Sequence, residues 1–137
     1  MRVIVCLDDK NGMLFNKRRQ SRDRVVVEDI QEKTAGCKLW MNAYSAKLFE
    51  DTGNICIEED FLAKSQAGEY CFVEDKSLAT YEDEIEELIV YRWGRVYPSD
   101  KKIDIDLNGY TMTCEDEIVG FSHPEMKRQI YIKEGSR

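Results

Sequence analysis

The chain has 137 residues, 42% of them hydrophobic and 34% charged, and it carries a net charge of −7. This length predicts a single domain over residues 1–137, and the apolar fraction is too high for a disordered protein. The acidic balance argues against nucleic-acid binding, and the lack of an apolar run of roughly 20 residues argues against a membrane-spanning helix.

The cysteines and the histidine narrow the chemistry further. Five cysteines lie far apart and form no CxxC pair, and the first residues already resemble a strand rather than a signal peptide. Both features predict reduced thiols and a cytoplasmic location. His123 is the only histidine, which argues against most zinc sites and most histidine-based catalytic designs. We therefore expect no bound metal.

Strands and helices alternate over the first two thirds of the chain. The β-branched run at 2–7 predicts a buried strand, and the polar residues 8–12 predict the turn that ends it. A helix is predicted over 24–34, with Ser21 or Asp23 as its N-cap. The other predicted elements of this part are strands at 38–41, 54–57, 70–73 and 88–93, and helices at 45–49, 59–67 and 78–86.

The last third of the chain contains strands alone. Residues 103–107 alternate between apolar and polar, which predicts a half-exposed strand. Asn108-Gly109 predicts a hairpin turn into a partner strand at 110–114, and a final strand is predicted at 128–133. We therefore predict an α/β fold with a mixed, mostly parallel central sheet, flanking helices and a C-terminal antiparallel hairpin.

The order of these segments resembles that of the dihydrofolate reductases. Residues 3–12 resemble the first strand and following loop of that family, and Trp40-Met41 resembles its strand that ends in Met-Gly. The strand at 69–73 resembles the one that leads into a Gly-Gly pair. Residues 110–114 and 128–132 resemble the closing hairpin. The resemblance spans nearly the whole chain and implies a dihydrofolate reductase-like fold.

Two segments depart from the family where it binds NADPH. The residues after Met-Gly hold the cofactor phosphates in the family and include an Arg, but here the segment 41–45 contains no cation. The Gly-Gly pair, which lets the backbone approach the pyrophosphate, is replaced by Glu74-Asp75. Each close carboxylate–phosphate pair costs about 1 kcal/mol in water and more in a shielded cleft. We therefore expect no bound cofactor and no reductase activity.

The family's proton-donating acid is also missing from its place. That place falls near Val26, with Asp23 and Glu28 only as neighbours. One alternative is an enzyme of unknown reaction that reuses the cleft, with Asp23, Glu28, Tyr44 or Arg22 as its polar groups. Another alternative is a residual NADPH-dependent reductase that holds its cofactor differently.

A basic segment at 17–24 contains five cations in eight residues. Guanidinium groups suit bidentate contacts to phosphate or carboxylate, so we expect Arg18, Arg19 and Arg22 to contact a small anionic ligand or a protein partner. In the resemblance this segment borders the substrate cleft, which adds Asp23 to the candidates. The alternative is a solvated loop that balances the acidic part of the protein.

Two aromatic residues complete the candidate site. Trp40 ends a predicted strand and Tyr44 lies one turn later, so both are candidates to line a cleft at the carboxyl ends of the strands. Core packing is the alternative for these side chains. The acidic run at 81–87 predicts an exposed helix face rather than a metal site.

Overall fold

The computed structural model of the protein describes residues 1–15, 18–19, 23–50, 53–94, 101–120 and 125–133. The strands are β1 (Arg2–Leu7), β2 (Gly12–Phe15), β3 (Arg18–Arg19), β4 (Leu39–Met41), β5 (Ile55–Ile57), β6 (Tyr70–Phe72), β7 (Glu87–Arg92), β8 (Lys101–Lys102), β9 (Tyr110–Ile118) and β10 (Met126–Lys133). The helices are α1 (Arg24–Lys33), α2 (Ala43–Ala46) and α3 (Phe61–Lys64), with 3₁₀ helices at Ala79–Glu84 and Leu107–Gly109. None of these described helices is long and apolar enough to cross a membrane.

Most of the described strands form one seven-stranded sheet. Its order is β5-β4-β6-β1-β7-β10-β9, and the first five strands are parallel to one another. The strand β10 is antiparallel to both β7 and β9, so the chain ends the sheet with a hairpin. A small antiparallel sheet has the order β3-β2-β8. This architecture confirms the predicted mixed α/β fold.

The strand β1 lies at the centre of the sheet and is covered on both faces. Its side chains alternate between two cores, with Val3, Val5 and Leu7 in one and Ile4 in the other. A strand that is buried on both faces carries an unbroken apolar run, because neither face meets water. The structure therefore confirms the buried strand that the sequence predicts at 2–7.

The helix α1 covers the face of the sheet that contains Ile4. Val26 and Ile30 lie one turn apart and are both buried in the same core as that residue. Asp23 is the N-cap, and its Oδ1 accepts a hydrogen bond from the backbone N–H of Val25 at 2.9 Å. This contact confirms the predicted helix and selects Asp23 as its cap.

The predicted strand at 103–107 and the hairpin turn at Asn108-Gly109 are wrong. The two isoleucines of this segment are buried in the core, but the backbone between them is not a strand. The carboxylate of Asp104 instead accepts a hydrogen bond from the backbone N–H of Leu78 at 2.8 Å, and Asp106 caps the following 3₁₀ helix. Aspartates that bind nearby N–H groups compete in this way with strand pairing.

Two of the predicted helices are shorter than the sequence indicates. The helix expected at 59–67 is reduced to α3, which has four residues, and the helix expected at 78–86 is the 3₁₀ helix Ala79–Glu84. In an α-helix, the carboxylates of 82–87 would repel one another at spacings of three and four residues. Burial of Leu78 and Ile85 at either end holds this segment against the core instead.

Candidate functional site

The direction in which the chain winds reverses next to β1. The connection from β1 leads to β4 on one side, whereas the connection from β6 passes over β1 to β7 on the other side. Ligands of open α/β sheets bind at the carboxyl ends of the strands, at the point of such a reversal. The candidate site is therefore the carboxyl edge of the sheet, beginning at Asp8 after β1 and at Glu74 after β6.

Glu74 is buried at this edge and points to the first turn of α2. Its side chain is only 9% exposed, and its Oε1 accepts a hydrogen bond from the hydroxyl of Ser45 at 2.7 Å. The backbone N–H of Ser45 donates to Oδ1 of Asn42 at 2.9 Å, so Asn42 caps the helix. This cap also explains why α2 begins at residue 43, two residues before the predicted start.

Two more carboxylates lie against the same turn. Asn42 donates from Nδ2 to Oδ1 of Asp75 at 3.3 Å, and the backbone N–H of Ala43 donates to Oε2 of Glu59 at 3.2 Å. Glu59 follows β5, whereas Asp75 follows β6. Carboxylates from two strand ends therefore surround the start of α2, together with Glu74. Within the described part of the chain, no group of three or more His, Cys, Asp or Glu is arranged to hold a metal ion.

The start of α2 does not fit the phosphates of a dinucleotide. Phosphate binding at a helix start uses free N–H groups and positive charge. The N–H groups of Ala43 and Ser45 already bind side-chain oxygens of this chain. The three carboxylates of Glu59, Glu74 and Asp75 add negative charge at the same place. A phosphate would have to displace these contacts and overcome the repulsion.

The turn after β1 is built around the buried carboxylate of Asp8. Its Oδ1 accepts hydrogen bonds from the backbone N–H groups of Lys10 and Gly12, both at 2.8 Å. Asn11 adopts a left-handed conformation in this turn, with φ of 64°. Arg92, at the end of β7, donates from Nη1 to the Asp8 carbonyl at 3.0 Å and to Asn11 Oδ1 at 2.5 Å. The turn and the end of β7 are therefore joined directly.

The structure describes the backbones of two of the three basic candidates. The backbones of Arg18 and Arg19 form β3 and pair with those of Phe15 and Leu14. Arg22 lies outside the described residues. Asp23, which is 3% exposed, caps α1. The structure therefore gives Asp23 a structural role, and it leaves the ligand contacts of the three arginines as predictions.

The two aromatic candidates lie on β4 and α2. Trp40 is half-buried and packs against the core that contains Val3, on the opposite face of the sheet from α1, and its Nε1 donates to Oε1 of Glu69 at 3.0 Å. Tyr44 is 38% exposed on α2. Glu28, named as a polar group of the alternative enzyme, is exposed on α1. The structure does not bring Trp40 and Asp23 into one cleft.

The sequence pattern does not reveal a hydrogen-bonded cluster between α1 and the sheet. Arg128 donates from Nη1 to both carboxylate oxygens of Asp29 at 2.8 Å, and from Nη2 to Asp116 at 2.9 Å. Tyr91 donates from its hydroxyl to Asp29 at 2.5 Å, and burial is the main cause of its raised pKa. These contacts fasten α1 to β7 and to the closing hairpin. The partners are 62 to 99 residues from Asp29 in sequence, so only the fold reveals them.

Comparisons with known proteins identify the fold. No protein-family model and no curated protein matches the chain. Among solved structures it is similar to a dihydrofolate reductase from Enterococcus faecalis, complexed with NADP(H) and RAB-propyl. The TM-score is 0.71 at 11% sequence identity, and the match covers 97% of this chain and 95% of that one. The fold is therefore dihydrofolate reductase-like, as the resemblance implies, with a highly divergent sequence.

Proposed function

Given a dihydrofolate reductase-like fold, we propose that this chain is a binding protein without reductase activity, which takes a small anionic ligand or a protein partner. The observation that carries the proposal is the hydrogen bond from Ser45 to the buried carboxylate of Glu74. The similar structure is complexed with NADP(H). In this chain, the helix start that follows β4 is already closed by its own side chains.

Electrostatics supports the loss of dinucleotide binding. Two unit charges at 4 Å interact by about 1 kcal/mol in water and by about 4 kcal/mol near a protein surface. A phosphate at the start of α2 would meet the carboxylates of Glu59, Glu74 and Asp75, which bind to this turn. Several such repulsions would cancel the micromolar affinity that a nucleotide cofactor needs, which corresponds to about 8 kcal/mol.

Ligand binding by the basic segment is supported by its place in the chain. β3, with Arg18 and Arg19, pairs with β2, which follows directly after the turn that Arg92 holds. The strand β3 is therefore connected through β2 to the turn at the carboxyl edge of the sheet. Arg18, Arg19 and Arg22 give this part of the chain three positive charges.

Calorimetric titration of the full chain with NADPH tests the first part of the proposal. We expect no measurable heat of binding at micromolar concentrations, with a dihydrofolate reductase as the positive control. Binding of NADPH in the micromolar range would overturn the assignment. It would favour the residual reductase instead.

A triple variant tests the basic segment. Arg18→Ala, Arg19→Ala and Arg22→Ala together should remove the chemical-shift changes that inorganic phosphate or citrate causes, while the melting temperature stays nearly unchanged. The matched control replaces the exposed Lys38 and Lys47 by alanine and should keep the response. If the triple variant binds these anions like the wild type, the segment is only a solvated loop.

A further inference from the structure

A cleft lies at the carboxyl edge of the sheet, on the β7 side of β1. Its volume is about 790 Å³, and it opens between the end of β7 and the strands β9 and β10. The polar side chains that matter here are Arg92, Lys127, Gln129, Tyr131 and Glu117. None of them belongs to the acidic contacts around α2, so this cleft is independent of the function proposed above.

Arg92 is held in one orientation in this cleft. Its Nη1 donates to the Asp8 carbonyl and to Asn11, and its Nε donates to Oε1 of Gln129 at 3.0 Å. Among the described residues, no hydrogen-bond acceptor lies at its second terminal nitrogen, Nη2. A guanidinium that is fixed by three hydrogen bonds and retains N–H donors at Nη2 is preorganised to bind an anionic ligand.

The partners of Arg92 are themselves fixed. Asn11 adopts the left-handed conformation, which costs free energy for a residue with a side chain and is common at functional sites. Gln129 accepts a hydrogen bond from the Tyr131 hydroxyl at 2.8 Å and donates to Glu115 at 2.6 Å. This second layer of contacts prevents the guanidinium from turning out to solvent.

A second positive charge, that of Lys127, lies beside this guanidinium. Arg92 and Lys127 are direct partners in the antiparallel ladder of β7 and β10, so both side chains lie on one face of the sheet. Like charges directly opposite each other destabilise a sheet. On its other side Lys127 is the direct partner of Glu117 on β9. Three directly paired residues on β7, β10 and β9 therefore carry a positive, a positive and a negative charge.

We propose that this cleft binds a small zwitterion of the amino-acid class. The ligand carboxylate binds Arg92 Nη2 and Lys127, which relieves the repulsion between them. The ligand ammonium group lies towards Glu117, and Val119 of the lining contacts an apolar side chain. The carboxylates of Glu117, Asp9 and Glu125 in the same lining disfavour a dianionic phosphate.

Three related probes test the charge requirements on the full chain. Calorimetry with L-leucine, N-acetyl-L-leucine and L-leucinamide compares a zwitterion with a ligand that lacks the positive group and with one that lacks the carboxylate. We expect leucine to bind about tenfold more tightly than either analogue. No binding of leucine at millimolar concentration, or equal binding of an analogue, overturns the proposal.

Two variants test the place of binding. Lys127→Gln, at a side chain that is 49% exposed, should weaken leucine binding about tenfold, whereas Lys38→Gln, at a side chain that is 61% exposed, should leave it unchanged. Arg92→Lys keeps the charge but loses the fixed fork, and it should abolish binding. Unchanged binding in Lys127→Gln overturns the site even if Arg92→Lys fails to fold. The basic segment is intact in each variant, so these outcomes are separate from those of the triple variant.

Discussion

The two flanks of β1, an acidic flank on the β6 side and an open flank on the β7 side, offer different groups to a ligand at the same edge of the sheet. On the side of β6, β4 and β5, the carboxylates of Glu74, Asp75 and Glu59 bind donors around the start of α2. On the side of β7, β10 and β9, Arg92 and Lys127 lie next to each other beside an open cleft. The first flank is closed by contacts within the chain, and the second retains donors for a ligand.

This difference shows that a fold alone does not determine what an edge of its sheet can bind. The backbone superposes on a reductase over 97% of the chain, yet the identity is only 11%. The side chains at the strand ends decide the charge that a ligand meets. Substitutions of polar side chains should therefore affect stability on the acidic flank and ligand binding on the open flank.

The largest expected loss of stability lies at a backbone position of the open flank, Gly94. A Cβ atom there would lie 2.3 Å from the backbone oxygen of Glu125, and the residue has φ of +74°. Gly94→Ala should therefore lower the free energy of unfolding by about 2–4 kcal/mol. Gly36→Ala is the matched control, because its φ is +82° but no atom lies within 4 Å, and it should cost about 1 kcal/mol. Equal losses of unfolding free energy for the two variants in urea would contradict the close approach of Gly94 to the backbone of Glu125.

The next largest effect tests the acidic flank, through Ser45. Ser45→Ala removes a donor from the buried carboxylate of Glu74 and should cost about 1–2 kcal/mol. A double-mutant cycle with Glu74→Ala, which removes the acceptor, should give a coupling free energy of about 1 kcal/mol. Ser65→Ala is the control, since that hydroxyl makes only long contacts, and it should cost less than about 0.5 kcal/mol. A coupling near zero would contradict the role of Glu74 at α2.

Local signals explain which parts of the fold could be predicted. The helix α1 combines a capping Asp23, buried residues Val26 and Ile30 at a spacing of four, and a stop at Gly36, all within fourteen residues. The Asn-Gly signal at 108–109 is equally local, but aspartates with partners elsewhere override it. The small sheet of β3, β2 and β8 was not predicted, because its strands have two to four residues.

Only the acidic part of the candidate site could be predicted, because two of its carboxylates are adjacent in the sequence. In the resemblance Glu74-Asp75 stands where the dihydrofolate reductases have two glycines, and the structure places these carboxylates at α2. The pairing of Arg92 with Lys127 depends on the register between β7 and β10, which are far apart in the chain. No local sequence pattern predicts that register. The proximity of Arg92 and Lys127 on the open flank is therefore seen only in the folded protein.

A smaller, pH-dependent effect sharpens the view that carboxylates near the acidic flank stabilise the fold. Burial alone would raise the pKa of Asp104, but hydrogen bonds from Ser77 and from the backbone of Leu78 hold that pKa below 3.8. The stabilisation is therefore present above pH 3.8 and is lost as the pH falls through the pKa of the folded state. Asp104→Asn should cost about 0.5 kcal/mol at pH 7, after allowance for solvent screening.

The same measurement at low pH provides the check on Asp104. Urea unfolding from pH 7 to pH 2.5 should show the wild type and Asp104→Asn converging at the acid end. Asp83→Asn is the control, because that carboxylate is fully exposed and its contact to Lys133 is 3.8 Å long. It should differ little from the wild type at any pH. A difference for Asp104 that persists at low pH would contradict the carboxylate's role.

The smallest effect compares two thiols, one on each flank, and changes reactivity rather than stability. Cys71 on β6 is fully buried, and burial raises its pKa to about 11. Cys114 on β9 is exposed, and its pKa is raised because the thiol donates to Asp116 at 3.3 Å. Iodoacetamide at pH 8 should therefore label Cys114 slowly and Cys71 only after unfolding, as peptide mass spectrometry would show.

Asp116→Asn should accelerate labelling of Cys114 about threefold, because the thiolate becomes easier to form. Equal labelling of Cys71 and Cys114 in the native protein would mean that β6 opens as readily as the edge strand, and the contrast between a closed and an accessible flank would fail.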